Sequence, residues 1–132
     1  MRTSRTTVSA LGLAGTLFAL TGALPAAAAA PLRWDSPKHV SSGVPVVVSS
    51  ITPCPPPPTS GVSVTIGFGL LFPAGGGVFE SLPASSDGTW SGSVTFGFSV
   101  SGKASLIATC SYYNGVTGVA YAQYKPASVK LG

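Results

Sequence analysis

Acidic side chains are scarce in this chain, and their scarcity limits the chemistry it can perform. Only 8% of the 132 residues are charged, and there are three acids. Hydrolysis by carboxylates requires two of them held close together. Asp87 is explained by a turn and Glu80 by the solvent face of a strand, and Asp35 lies far from both in the sequence. We therefore expect no carboxylate-based active site.

Histidine and nearby metal ligands are equally sparse. His39 is the single histidine, and it follows Asp35 by four residues in a segment with no helical pattern. The many serines and threonines need a positioned base before they can act as nucleophiles, and the sequence supplies no obvious one. We expect no enzyme, no catalytic residue, no metal site and no cofactor.

Basic residues are also few once the N-terminal segment is set aside. Arg2 and Arg5 contribute to the formal net charge of +4. The remaining basic residues are scattered, and they form no stripe of the kind that binds nucleic acid. These residues are Arg33, Lys38, Lys103, Lys125 and Lys130. We expect no nucleic acid partner.

Long apolar runs are absent except at the N-terminus. The one run, from about residue 8 to residue 24, is about 17 residues long and is interrupted by glycines, whereas a spanning helix needs about 20. Arg2 and Arg5 precede it and alanines 26–30 follow, which is the order of a secretory signal peptide. A membrane anchor is the alternative. Cysteine does not follow the run, so a lipid attachment site is not indicated.

The sequence thus predicts a signal peptide at residues 1–29, a lead-in at residues 30–43 and a single domain at residues 44–132. Cleavage after residue 28 or 29 fits the small-residue rule. The mature part has about 103 residues, which is one domain. We expect a secreted protein, extracellular or associated with the cell wall, without membrane contact after cleavage.

The chain contains only two cysteines, Cys54 and Cys110. An even pair in an exported chain indicates a disulfide. It would close a loop of about 57 residues, which stabilises a fold by on the order of 4 kcal/mol in the chain-entropy model. A metal site is less favoured because neither cysteine has a second cysteine or a histidine nearby.

Period-two alternation is the dominant pattern of the sequence. In residues 87–98, Trp90, Val94 and Phe96 share one parity, and serines and threonines take most of the other. This predicts a strand with one buried face, preceded by an Asp87-Gly88 turn. We expect Trp90 in the core and the rest of the chain paired with this strand or covering it.

Further strands are predicted on both sides of it, at residues 44–51, 62–72, 78–82, 103–110 and 116–124. A short strand is expected near 38–42, and residues 125–132 are expected to form a tail or a final edge segment. Asn114-Gly115 indicates a hairpin between the last two long strands. The proline run at 55–58 favours a stiff connection, either a rigid loop or a ligand for a proline-recognition module. The fold class expected is an all-β antiparallel sandwich of about seven strands.

The chain resembles the short immunoglobulin-like domains that are common in secreted Gram-positive proteins. The resemblance is carried by Cys54-Pro55-Pro56, the alternation at 62–66, the turn and strand at 87–91 and the strand end at 108–110. It implies an extracellular β-sandwich used for binding, spacing or surface display, and it transfers no functional residues. The poorly marked first strand departs from the pattern.

In an immunoglobulin-like arrangement the strands take positions B to G in order, which makes 78–82 strand D. Strands 44–51 and 103–110 then lie in opposite sheets and run the same way. Their ends meet, which would allow Cys54 to reach Cys110. The loops at 52–61, 83–88 and 111–115 fall together at this end, where we expect any binding face.

Tyr112, Tyr113 and Asn114 are the candidate ligand-binding residues, because tyrosines at a hairpin tip can stack on sugars or anchor a protein. Consecutive strand residues face opposite ways, so at least one tyrosine should be exposed. Alternatively, Tyr112 packs over the disulfide and Tyr113 is an ordinary turn residue. Trp34 is either a docking aromatic or a cover for the sandwich, whereas Tyr121 and Tyr124 are expected on a sheet face.

The function expected is a non-catalytic extracellular binding or surface module, with a cell-wall glycan or a protein as its ligand. The alternative is a secreted inhibitor of a protease or other hydrolase, which would present an end loop rigidly. A third possibility is a self-associating surface coat that assembles through an exposed edge strand.

Overall fold

A computed structural model describes residues 32–132. The predicted signal peptide at residues 1–29 and its cleavage site lie outside the described residues. Within the described part there is no helix with the length and apolar character needed to cross a membrane. Nine strands are present there: β1 Trp34–Asp35, β2 His39–Val40, β3 Val46–Ser50, β4 Val64–Leu71, β5 Gly77–Pro83, β6 Ser91–Val94, β7 Gly102–Tyr113, β8 Gly118–Gln123 and β9 Ala127–Leu131.

The strands form two sheets, which confirms the predicted all-β sandwich. The smaller sheet has the order β1-β3-β6. The larger has the order β2-β9-β7-β4-β5, and β8 pairs with the second half of β7. All pairs between the named strands are antiparallel except β2 with β9. The two sheets enclose one continuous apolar core.

The strand that pairs with the most others is β7. We expected residues 87–98 to have this role. Strand β7 pairs with β4 along eight residues and with β9 and β8 on its other side. Strand β6 covers only Ser91–Val94 and pairs only with β3. The pairing ends at Val46, because the next N–H on that side of the chain, from Val44, bonds to Ser41 O in the turn at Gly43, where φ is +76°. The predicted burial alternation nevertheless continues to Phe96.

The N-terminal lead-in contributes a strand to each sheet. β1 pairs with β3 in the smaller sheet, and β2 pairs with β9 in the larger. β2 matches the short strand expected near residues 38–42, whereas β1 had no clear sequence signal. Buried Trp34 and Val40 fix the two strands to the core, and Pro37 lies in the crossing between them.

Two other strands differ from the expected arrangement. The strand predicted as D, at 78–82, is β5, and it pairs with β4 in the larger sheet rather than with β6. Residues 125–132, expected as a tail or a final edge segment, contain β9, which pairs with both β2 and β7 and whose Val129 and Leu131 are buried. β8 and β9 are separated at Lys125 and Pro126, because a proline cannot continue the ladder of hydrogen bonds.

Four aromatic rings form the middle of the core. Trp90 packs edge-on against Tyr124 at 5.3 Å and Phe68 at 5.5 Å between ring centroids, and Trp34 lies 6.0 Å from Trp90. The prediction that Trp90 is a core residue is confirmed. Trp34 is itself buried against the core, which matches the expectation that it covers the sandwich, and Tyr124 is a core residue that is only 1% exposed.

Candidate functional site at the loop end

Three loops meet at one end of the sandwich, as the topology predicted. We define this loop end by the connections β3–β4 (51–63), β5–β6 (84–90) and β7–β8 (114–117). Two hydrogen bonds hold the β3–β4 connection in place: Cys54 N donates to Gly88 O of the β5–β6 connection at 2.9 Å, and Tyr121 Oη of β8 donates to Pro55 O at 2.7 Å. The proline-containing loop is therefore attached to both neighbouring segments.

The predicted disulfide between Cys54 and Cys110 is confirmed. The two Cα atoms are 6.0 Å apart, and both residues are buried. Cys54 follows β3 of the smaller sheet, and Cys110 lies in β7 of the larger sheet. The bridge therefore ties the start of the proline run, residues 55–58, to the central strand.

The Asp87-Gly88 turn is the second rigid part of the loop end. Asp87 Oδ1 accepts hydrogen bonds from Thr89 N at 3.0 Å and from Thr89 Oγ1 at 2.6 Å. The hydrogen bond from the Thr89 hydroxyl is the larger cause, and that from Thr89 N–H the smaller, of a pKa of Asp87 below its ordinary value. Gly88 has φ of +89° and lies against the carbonyl of Cys54, where a side chain would collide with the backbone.

A cleft of about 450 Å³ opens between the proline loop and this turn. Pro55, Pro56 and Pro57 form one wall, and residues 84–88 form the other. Asp87 is fully exposed at the cleft. The cleft is therefore an indentation with an apolar wall of prolines facing a polar wall, which carries Ser85, Ser86 and the Asp87 carboxylate.

The two predicted tyrosines point in different directions, as their consecutive positions require. The ring of Tyr112 packs edge-on against Tyr121 at 5.8 Å, and Tyr112 is half-buried. The hydroxyl of Tyr121 in turn donates a hydrogen bond to Pro55 O. Burial raises the pKa of Tyr121, and the electrostatic effect of the neighbouring Tyr124 raises it further. Tyr113 is 62% exposed. Tyr112 thus supports the proline loop, and Tyr113 is the tyrosine that a ligand can reach.

Asn114 organises the hairpin turn. Its Oδ1 accepts from Val116 N at 2.8 Å and from Thr117 N at 2.9 Å. Gly115 has φ of +97°, which suits the Asn-Gly turn predicted from the sequence. The turn leaves Val116 85% exposed. Sequence reasoning missed Val116, whose only signal was its position directly after the Asn-Gly pair.

The ionisable residues considered for catalysis lie on separate elements. His39 is on β2, Asp35 on β1, Glu80 on β5 and Asp87 in the β5–β6 turn. No group of three or more histidines, cysteines or acids that could hold a metal ion occurs in residues 32–132. The three candidate residues at 112–114 adjoin one another at the hairpin tip, whereas these four do not come together.

Comparison of the chain with protein-family models, with curated proteins and with solved structures gave no significant match.

Proposed function

We propose that this chain is a secreted, non-catalytic binding module that holds a cell-wall glycan or a protein at its loop end. The observation that carries the proposal is the pair of exposed side chains at the hairpin tip, Tyr113 and Val116. A tyrosine ring offers a large contact area and loses little conformational entropy on binding. The disulfide and the hydrogen bonds of Pro55 and Asn114 order the loops around it before a ligand arrives, which lowers the cost of binding.

We also propose that the domain is related to immunoglobulin-like sandwiches. The larger sheet places β9, β7, β4 and β5 side by side, which matches the order G-F-C-C′. The smaller sheet, β1-β3-β6, matches A-B-E. In this assignment β5 takes the C′ position, and the departure from the family pattern is a missing strand D rather than a missing first strand.

Binding to isolated cell-wall glycan tests the proposal directly. The purified protein should sediment with the glycan, and Tyr113→Ala should lose most of that binding while keeping its thermal midpoint. Phe79→Ala is the matched control, because Phe79 is 68% exposed but lies on β5. Equal binding by Tyr113→Ala and the wild type would exclude the hairpin tip as the site, and failure of both to bind would exclude a glycan ligand.

An inhibitor of a secreted hydrolase is the second candidate function. It is favoured by the exposed loop at residues 55–61, which is held at its base by the disulfide and by the Tyr121–Pro55 bond. Protease inhibitors bind through such preordered loops. Stoichiometric loss of protease activity on titration with this protein, without cleavage at the loop, would support this function in place of glycan binding.

A further inference from the structure

Basic residues that are scattered in the sequence are concentrated on one half of the larger sheet and beside it. In the larger sheet, His39 is on β2, Lys130 on β9 and Lys103 on β7, which are the first three strands in spatial order. β4 carries no charged residue, and the charged residue of β5 is Glu80. The sheet is therefore polarised, with positive charge towards one edge and negative charge at the other.

Three of these residues form a row on the outer face of the sheet. His39 lies directly opposite Lys130, and Lys130 lies directly opposite Lys103. All three are exposed, and they alternate with buried neighbours such as Val40 and Leu131. With strands about 4.8 Å apart, the row spans about 10 Å. Like charges directly opposite each other destabilise a sheet, so the Lys103–Lys130 pair costs stability unless an anion offsets it.

A basic cleft continues from this row. Arg33, Lys38 and Lys125 line a depression of about 370 Å³, together with Ser36 and Ser128. The carbonyl of Lys38 accepts a hydrogen bond from Lys130 N at 3.0 Å, so the cleft adjoins the row at this point.

The backbone of this cleft is well fixed. The carbonyl of Arg33 accepts hydrogen bonds from Ile51 N and Thr52 N, at 3.0 and 2.9 Å. The carbonyl of Lys125 accepts from Trp34 Nε1 at 2.7 Å. Asp35, the acid in this segment, lies opposite Ser49 on β3 and does not line the cleft. The basic side chains of the cleft therefore start from ordered positions without a carboxylate between them.

We propose that this surface, which we call the basic edge, binds a linear acidic polysaccharide. The basic edge consists of Arg33, Lys38, His39, Lys103, Lys125 and Lys130. Its groups are exposed and follow a track rather than converging on one point, which suits a polymer with repeated negative charges better than a single small anion. Lys103 and Tyr113 lie at opposite ends of β7, about 33 Å apart, so the row is separate from the hairpin tip. The cleft reaches the start of the β3–β4 connection at Ile51, but it does not include Tyr113 or Val116, and the inference goes beyond the function proposed for them.

The choice of a polysaccharide over a single-stranded nucleic acid follows from the aromatic residues. Proteins that bind single strands stack bases on exposed aromatic rings. The aromatic residue of the basic cleft, Trp34, is only 8% exposed, and its N–H is already bonded to Lys125. The basic edge therefore offers charge and hydroxyl groups without a stacking platform.

Chromatography on immobilised heparin, a sulfated and carboxylated polysaccharide, tests the inference. The protein should be retained at low ionic strength and released as salt screens the charges, and neutral dextran should not retain it. Lys103→Gln/Lys130→Gln should weaken binding by about 25-fold, at roughly fivefold per lysine. The same variant should have a higher thermal midpoint at low salt, because it removes a like-charge pair.

The matched control is Ser91→Glu/Ser93→Glu, which lowers the net charge by the same amount on exposed positions of β6. It should remain bound much more tightly than the lysine variant. The proposal is overturned if heparin does not retain the protein, if the control loses as much binding, or if single-stranded DNA competes better than the polysaccharide. Tyr113→Ala should elute with the wild type, so failure here is distinguishable from failure of the loop-end proposal.

Discussion

At the scale of single residues, the hydroxyl of Tyr124 connects the core with the loop end. It donates to Thr52 O at 2.6 Å, accepts from Trp90 Nε1 at 3.0 Å and lies 3.7 Å from Cys54 Sγ. Burial raises the pKa of this hydroxyl, and the hydrogen bond from Trp90 opposes the rise. One group thus satisfies two buried polar partners next to the disulfide.

Tyr124→Phe should destabilise the protein by about 1–3 kcal/mol, because the ring still packs but Trp90 N–H and Thr52 C=O lose their partner. Urea unfolding followed by tryptophan fluorescence measures the change. Tyr121→Phe is the control: it removes one hydrogen bond at a partly exposed position, and it should cost less. Equal stability of Tyr124→Phe and the wild type would contradict this role.

Sequence parity was sufficient to place Trp90 and Phe96 in the core, because each lies in a clear alternating pattern. It was insufficient for Trp34 and Tyr124. Trp34 lies in a strand of two residues, which is too short to show a period. Tyr124 lies at the junction between β8 and β9, where the alternation is interrupted, so its burial depends on contacts with residues far away in the sequence.

At the scale of elements, the β5–β6 turn needs a residue without a side chain at Gly88, because the backbone of Cys54 lies against it. The β7–β8 hairpin turn has no such contact at Gly115. Gly88→Ala should cost about 1–3 kcal/mol, because a side chain there combines a positive φ with a collision against the Cys54 carbonyl. Gly115→Ala has a similar φ but open space around it, and it should cost less. Thermal unfolding of both variants measures the difference, and equal losses would show that the approach to Cys54 has no effect.

The positions of the strands in the sequence were easier to predict than which strands pair with each other. Residues 64–71 and 91–94 lie inside predicted strands, and Asn114-Gly115 forms the expected hairpin. The placement of β5 beside β4 instead of β6 could not be inferred from its own residues. Strand partners are chosen by long-range contacts: Leu82 reaches across to Gly92 from the other sheet, whereas β5 takes its hydrogen bonds from β4.

At the scale of the whole molecule, folding assembles surfaces that the sequence order conceals. Lys103 and Lys130 are separated by 27 positions in the printed sequence, yet they are direct neighbours across β7 and β9. Their scattered positions suggested no charged surface. The convergence of the three loops, in contrast, was predictable, because alternating strand directions bring every second connection to the same end.

The disulfide stabilises this arrangement of the two sheets, because it links one sheet to the other and closes a long loop of the chain. Cys54 and Cys110 are 56 positions apart, and opening such a loop should cost on the order of 4 kcal/mol. We expect Cys54→Ala/Cys110→Ala to lower the thermal midpoint by roughly 15–30 °C for a domain of this size. Scanning calorimetry of the variant and of the reduced wild type measures this. Thiol titration should find no free thiol in the native protein, and two reactive thiols before reduction would contradict the bridge and the joining of the sheets through it.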